Sequence, residues 1–181
     1  MQSRKNNYNG FAIFFMFIGI LLFILGNPIN YTCSEYVNLP FGGMGYIGEE
    51  TISISGIDVI FGWKYSSKLY SDLNPYAIIA ILFTLFSIIL TILVTRRKLK
   101  EDILTICVLL LLTSSIFVLL STHFFPLNIE NKEDFSLSIM GIISGCSLLL
   151  STFCLTCSRW LITENNPKVE NSEQSKIEDN E

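Results

Sequence analysis

The chain has 181 residues, of which 50% are hydrophobic and 15% charged, against roughly 25% charged in an ordinary soluble domain. Its formal net charge is −4, and its apolar residues gather in blocks free of Asp, Glu, Lys and Arg: 6–34, 73–95, 103–129 and 135–158. That distribution excludes a soluble globular domain, a disordered chain and a disulfide-stapled secreted module.

A helix needs about 20 mostly apolar residues to cross the hydrocarbon core. The first candidate span, about 10–26, is short and Phe-rich. Arg4 and Lys5 precede it, as in a signal peptide, but Leu25-Gly26-Asn27-Pro28 is a poor match to a small-x-small cleavage site. It reads as an uncleaved anchor.

The loop 27–75 follows. Glu50 to Ser55 alternates as a strand does, Ser55-Gly56 is turn material, and Ile57 to Trp63 reads as a second strand, so a small β-hairpin is expected. A lone hairpin is only marginally stable in water, which calls for packing on the helix ends or on a partner. Gly43-x-Gly45-x-x-Gly48 has the formal spacing of a dinucleotide-binding loop. That chemistry needs a strand before the glycines and a helix after them. Here Pro40 precedes and a strand-like segment follows, so the stretch reads as a glycine-rich turn. Asn30-Tyr31-Thr32 is a glycosylation sequon, meaningful only in a eukaryotic secretory pathway; the heavy Ile, Asn, Lys and Ser usage looks bacterial. Phe61, Trp63, Tyr65 and Tyr70 supply aromatic surface, either as membrane-interface anchors or as a docking face for another membrane protein.

The second span, 76–95, starts behind Pro75. Ala77, Ala80, Thr84, Ser87 and Thr91 recur along one of its faces, as Ala12, Gly19 and Gly26 do in the first span. The third, 103–122, is Leu-rich, carries Thr113-Ser114-Ser115 and ends before Pro126, with His123 as an interface residue. In the fourth, 137–157, Gly141 and Gly145 form a GxxxG pair extended by Ser144, Ser147 and Ser151. Small stripes let helix backbones approach closely. Gly141, Gly145, Ala80, Thr84 and Ser87 are therefore the expected helix-packing residues, with homo-oligomerisation through the GxxxG face as an alternative use.

Cys154-x-x-Cys157 has the spacing of a redox dithiol or of half a zinc site. Four-helix disulfide-generating enzymes carry such a dithiol on the outer side and relay through a loop cysteine pair. This pair lies at the opposite end, and loop 27–75 holds only Cys33. The bland alternatives are apolar filling or juxtamembrane palmitoylation. Neither a metal nor a cofactor is expected.

Lys and Arg set the orientation. Arg4 and Lys5, then Arg96, Arg97, Lys98 and Lys100, then Arg159 mark the cytoplasmic side, with Trp160 at interface depth. Loop 27–75 has five carboxylates against Lys64 and Lys68, and loop 123–136 has three against Lys132. Both termini are expected inside a plasma membrane and both large loops outside. The acidic segment 164–181 reads as a disordered cytoplasmic tail behind a membrane domain spanning 1–163.

A short span, a long outer loop with strands, two spans joined by a basic turn, a small outer loop and a last span make a layout similar to claudin-like four-pass proteins. The outer Trp63 lacks the downstream cysteine pair of that family. More locally, Ser55-Gly56-Ile57-Asp58-Val59-Ile60-Phe61-Gly62 followed by Asn74-Pro75-Tyr76-Ala77 resembles small four-pass membrane proteins of low-GC Gram-positive bacteria, over residues 50–100. The fold expected is thus an all-α membrane protein, a four-helix transmembrane bundle with one outer hairpin.

No acidic or basic residue lies within the spans, which argues against a proton-coupled pump or a carboxylate-lined channel. The function expected is non-catalytic: an accessory subunit, scaffold or immunity-type protein acting by contact. Its partners would be the lipid bilayer and another membrane protein or a second copy, not nucleic acid. The alternative is an oligomeric small-solute transporter or permeability factor lined by the Ser/Thr stripes. A membrane thiol oxidoreductase using Cys154 and Cys157 is more remote.

Overall fold

The structure, a computed structural model, describes residues 2–38, 44–62, 73–100, 102–123 and 135–163. It is mostly helical with one small sheet. In chain order the elements are α1 (Gln2–Leu25), β1 (Ile29–Asn38), β2 (Met44–Ile54), α2 (Gly56–Phe61), α3 (Pro75–Thr95), α4 (Ile103–Leu119), β3 (Phe135–Leu137) and α5 (Ile139–Thr163). Three helices are long and apolar enough to cross a membrane, over Asn6–Leu25, Pro75–Thr95 and Ile139–Leu161. The fourth long helix, α4, has 17 residues. At about 1.5 Å per residue it is close to 25 Å long.

Both ends of α3 and the start of α5 have local reasons. Asn74 caps α3, its side-chain oxygen accepting from the amides of Tyr76 (3.1 Å) and Ala77 (3.2 Å), and Pro75 sits at the first turn, where no donor is lost. At the other end the Arg97 amide donates to Val94 O (2.9 Å) and the Lys98 amide to Leu93 O (2.9 Å). This is a Schellman closure, with Arg97 at φ 57° in the position glycine usually holds. Ser138 starts α5. Its hydroxyl accepts from the Gly141 amide (3.3 Å) and donates to Asn27 O, while its own amide donates to Pro28 O (3.0 Å).

The helices contact one another in the pairs α1–α5, α5–α4, α4–α3 and α3–α1. Ala12, Met16 and Phe23 of α1, Ala77 and Ala80 of α3, Leu104, Cys107 and Leu111 of α4, and Leu148 and Leu155 of α5 fill the space between them. On the opposite faces Phe11, Phe14, Phe17, Leu82, Phe86, Leu109 and Phe153 are exposed. A chain apolar outside as well as inside is matched to lipid, not to water.

The sheet has strand order β2-β1-β3, all antiparallel. Ile29 pairs with Ile54 and Leu137, and Tyr31 with Ile52 and Phe135. These residues form one apolar face, with the Tyr31 and Phe135 rings 4.7 Å apart. Asn30, Ser53 and Ser136 form the other, and the Ser53 hydroxyl donates to Asn30 Oδ1 at 3.1 Å. Ile29 and Ile54 are fully buried, so the apolar face closes one end of the helical core. β3 pairs with Ile29, Asn30 and Tyr31; beyond them, among the described residues, β1 and β2 continue as a two-stranded ribbon to the Asn38–Met44 pair, with a register shift at Glu35/Tyr36.

Several local expectations are corrected. Ile57–Trp63 is not a strand: Gly56–Phe61 is a helical turn, and Trp63 lies outside the described residues. Ser55 Oγ accepts from the Asp58 amide (3.2 Å) and donates to Asp58 Oδ2 (2.7 Å), and Gly62 ends the turn at φ 110°. That reciprocal capping outweighs the β-branched content. Gly45 and Gly48 are inside β2 and not in a turn. α1 begins several residues earlier than expected, and Leu137 belongs to β3, which leaves α5 to start at Ile139. Cys154, Cys157 and Gly145 remain on α5 as expected.

Candidate functional site

Two regions gather the residues singled out by sequence: a hydroxyl seam between the helices, and the sheet with the adjoining α2. In the seam, Ala80, Thr84 and Ser87 are all buried on α3. Ala80 O accepts from the Thr84 hydroxyl (2.8 Å) and from the Ser114 hydroxyl of α4 (2.8 Å), and the two hydroxyls are 2.7 Å apart. Two protons thus serve three close oxygens, bonding α3 to α4. On the other side the Ser144 hydroxyl donates to Gly19 O (2.7 Å) and the Ser151 hydroxyl to Ala12 O (3.0 Å), bonding α5 to α1.

Gly141 and Gly145 are buried within the chain. A methyl group on Gly141 would lie 2.5 Å from Pro28 O and 2.9 Å from Leu137 Cδ1, and one on Gly145 would overlap the Leu119 side chain. Gly145 therefore admits α4, while Gly141 admits the chain leaving α1. Both positions are occupied from inside the chain, so this face is not open to a second copy.

At the centre, Gly19, Phe23, Ala80, Thr84, Ser114 and Ser144 surround a cavity of about 10 Å³. That is the lower limit for holding one water. The seam hydroxyls point at carbonyls, so they tie helices together and leave no row of free polar groups along this space. Asn9 has no place among the residues that spacing singles out. It is fully buried near the opposite end, where its Nδ2 donates to Thr95 Oγ1 at 3.1 Å and its Oδ1 has no partner. An Asn one turn inside an apolar block is the sequence signal that points to it.

The chemistry-bearing residues do not converge. Among the described residues no group of three or more His, Cys, Asp or Glu side chains comes together. Cys107, Cys146, Cys154 and Cys157 are free thiols. Cys107 is buried, Cys146 is exposed on α5, and Cys154 and Cys157 are half-exposed. His123 is exposed just past α4.

Beside the sheet, Phe61 is exposed at the end of α2; Trp63, Tyr65 and Tyr70 lie outside the described residues. The ribbon carries exposed Met44 (75%) and Tyr46 (58%). No protein-family model, curated protein or solved structure matches this chain.

Proposed function

We propose that this is a four-span, non-catalytic protein of the plasma membrane, with both termini cytoplasmic, acting by contact between its outer β-ribbon and another membrane protein. The observation that carries the reading is the sheet itself. β1, which follows α1 and precedes α3, pairs with β3, which follows α4 and precedes α5. The segments before α3 and after α4 therefore share one side, so α3 and α4 together make an even number of crossings. Since α3 is long enough to cross, α4 is the return. The basic turn Arg96–Lys100 then lies on the cytoplasmic side, as the distribution of Lys and Arg favours.

Contact is favoured over conduction by where the polar groups point. A solute path needs free polar groups along it, whereas the seam hydroxyls are bonded to carbonyls around a cavity of about 10 Å³. The ribbon supplies the opposite feature. Past β3 it is, among the described residues, two strands wide, with Met44 and Tyr46 at its far end. Such ribbons gain stability from a further strand or a packed surface. Shape and layout support an accessory, scaffold or immunity role over catalysis, in keeping with the resemblance to claudin-like and small Gram-positive four-pass proteins.

Photo-crosslinking residues placed at Met44 and Tyr46 in native membranes test this. The expected product is an adduct with one protein species that also co-purifies in fixed stoichiometry, and that Tyr46→Glu removes. Adducts only with lipid or only with a second copy would overturn the partner reading.

A further inference from the structure

Outside the seam and the ribbon, α2 is the element that bridges two spans. Its first amide, Gly56 N, donates to Gly26 O at the end of α1 (2.9 Å), and a Cβ at Gly56 would collide with Phe23 O. Its last turn meets the start of α3, where the Asn74 amide donates to Ile60 O (3.0 Å). α2 has 6 residues, so it is about 9 Å long. Packed helix axes are separated by about 8–10 Å. A rod of that length, pinned at one end to α1 and at the other to α3, is long enough to reach from one helix to the next, and it does so where α1 ends and α3 begins.

Its faces are distributed to match. Gly56, Val59 and Ile60 are buried against the protein. Ile57 (51% exposed) and Phe61 (68%) stand one turn apart on the other side, while the one carboxylate, Asp58, is engaged with the Ser55 hydroxyl. The residues adjoining the two pinning points are also exposed and apolar: Leu25 at 71% and Leu73 at 52%. Leu25 in turn ends a stripe of exposed residues along α1, Phe11, Phe14, Phe17 and Leu21, that recur at steps of three and four.

We propose that α2 is an interfacial anchor whose partner is the outer leaflet of the bilayer, with Ile57 and Phe61 inserted at the boundary between headgroups and acyl chains. Helices with one apolar face lie in this zone with that face about 5–10 Å deep. The anchor fixes the height of the sheet, because Ser55 joins β2 directly to α2. The proposal rests on the membrane reading of α1 and α3 and is independent of any protein partner.

The test is lipid quenching of tryptophan in nanodiscs of phosphatidylcholine brominated in the upper acyl chain. The background is Trp63→Phe with Trp160→Phe, since these are the 2 tryptophans of the chain. Ile57→Trp and Phe61→Trp are compared with Ser53→Trp on the polar face of the sheet and Phe17→Trp in the middle of α1. The expected result is blue-shifted emission at 57 and 61, quenched about two-fold by shallow bromines, as burial in that boundary implies. Position 53 should be unquenched. Position 17 should respond better to bromines placed deep in the chain. Water-like, unquenched emission at 57 and 61 would overturn the proposal, and so would blue-shifted emission that bromines leave untouched, which would mean protein covers α2. Failure at position 17 would instead sink the membrane reading. Should either tryptophan variant fail to fold, nitroxides on Ile57→Cys and Phe61→Cys measure the same depth by their accessibility to oxygen against a water-soluble nickel chelate. Greater access to oxygen supports the anchor, and greater access to the chelate overturns it.

Discussion

Gly141 and Gly145 sit one turn apart on α5, yet what crowds them differs in kind. A Cβ on Gly141 meets the carbonyl oxygen of Pro28 at 2.5 Å, a backbone atom fixed by its bond from the Ser138 amide (3.0 Å). A Cβ on Gly145 meets Cδ2 and Cγ of Leu119, a side chain that can move aside by rotating about χ1 while the backbone stays in place. Alanine also gains about 1 kcal/mol of helix propensity over glycine, and overpacking costs about 1–3 kcal/mol where nothing can yield. Gly145→Ala should therefore be close to neutral in thermal unfolding of the purified protein, and Gly141→Ala destabilising by about 1–2 kcal/mol. Leu149→Ile, at a half-exposed position, is the neutral control. Equal effects at both glycines would contradict the geometry. Arg97 supplies the converse case. Its left-handed φ of 57° costs a side-chain-bearing residue about 1–2 kcal/mol, against about 0.5–1 kcal/mol of extra chain entropy for glycine. Arg97→Gly should raise the melting temperature slightly and Arg97→Val lower it, with orientation held by Arg96, Lys98 and Lys100.

At the scale of elements, the hydroxyl seam decides how α3 meets α4. Ala80 O accepts from both Thr84 and Ser114, so either hydroxyl can be lost while the carbonyl keeps a donor. Interhelical hydrogen bonds in membranes average about 0.6 kcal/mol. Thr84→Val and Ser114→Ala should each cost about that much or less. The double variant should depart from their sum, because the two hydroxyls are 2.7 Å apart and share one acceptor, a carbonyl that keeps its own helical bond in every variant. A double-mutant cycle in a denaturant titration reads this directly; strict additivity would show that the two hydroxyls act separately. The small-residue spacing makes this seam legible in the sequence: Ala77, Ala80, Thr84, Ser87 and Thr91 form the buried stripe of α3. Its partners are not legible, since nothing local tells Ser114 that it will reach Ala80 and not its own helix, as Thr113 does with Leu109 O. α2 departs from its sequence expectation for a related reason. Ile57, Val59 and Ile60 favour a strand by composition, whereas Ser55, Asp58 and Gly62 cap a turn of helix at both ends. β1 and β3 show little alternation to read, and their pairing spans more than a hundred residues of sequence.

That long-range pairing governs the molecule as a whole. It ties the end of α1 to the start of α5, with Ser138 bonding to Asn27 and Pro28 beside it. Asn30 and Ser136 are register partners on the polar face of the sheet. Facing residues in antiparallel strands have Cα atoms about 4.5–5.5 Å apart, within the range of about 4.4–6.8 Å that a disulfide accepts. In a Cys33→Ser background, Asn30→Cys with Ser136→Cys should therefore form a bridge in intact cells. It would be seen as a faster band on a non-reducing gel, reversed by reductant. Tyr31→Cys with Ser136→Cys is the control, because neighbouring residues on a strand point to opposite faces and Tyr31 belongs with Phe135. The pair also reads topology, since a bridge persists in an oxidising outer compartment and not in the reduced cytosol. Two cysteines that react with a membrane-impermeant thiol reagent but never bridge would refute the β1–β3 register. Two that react only after the membrane is opened would put the sheet inside, and with it the basic turn Arg96–Lys100 outside, reversing the orientation argued from charge.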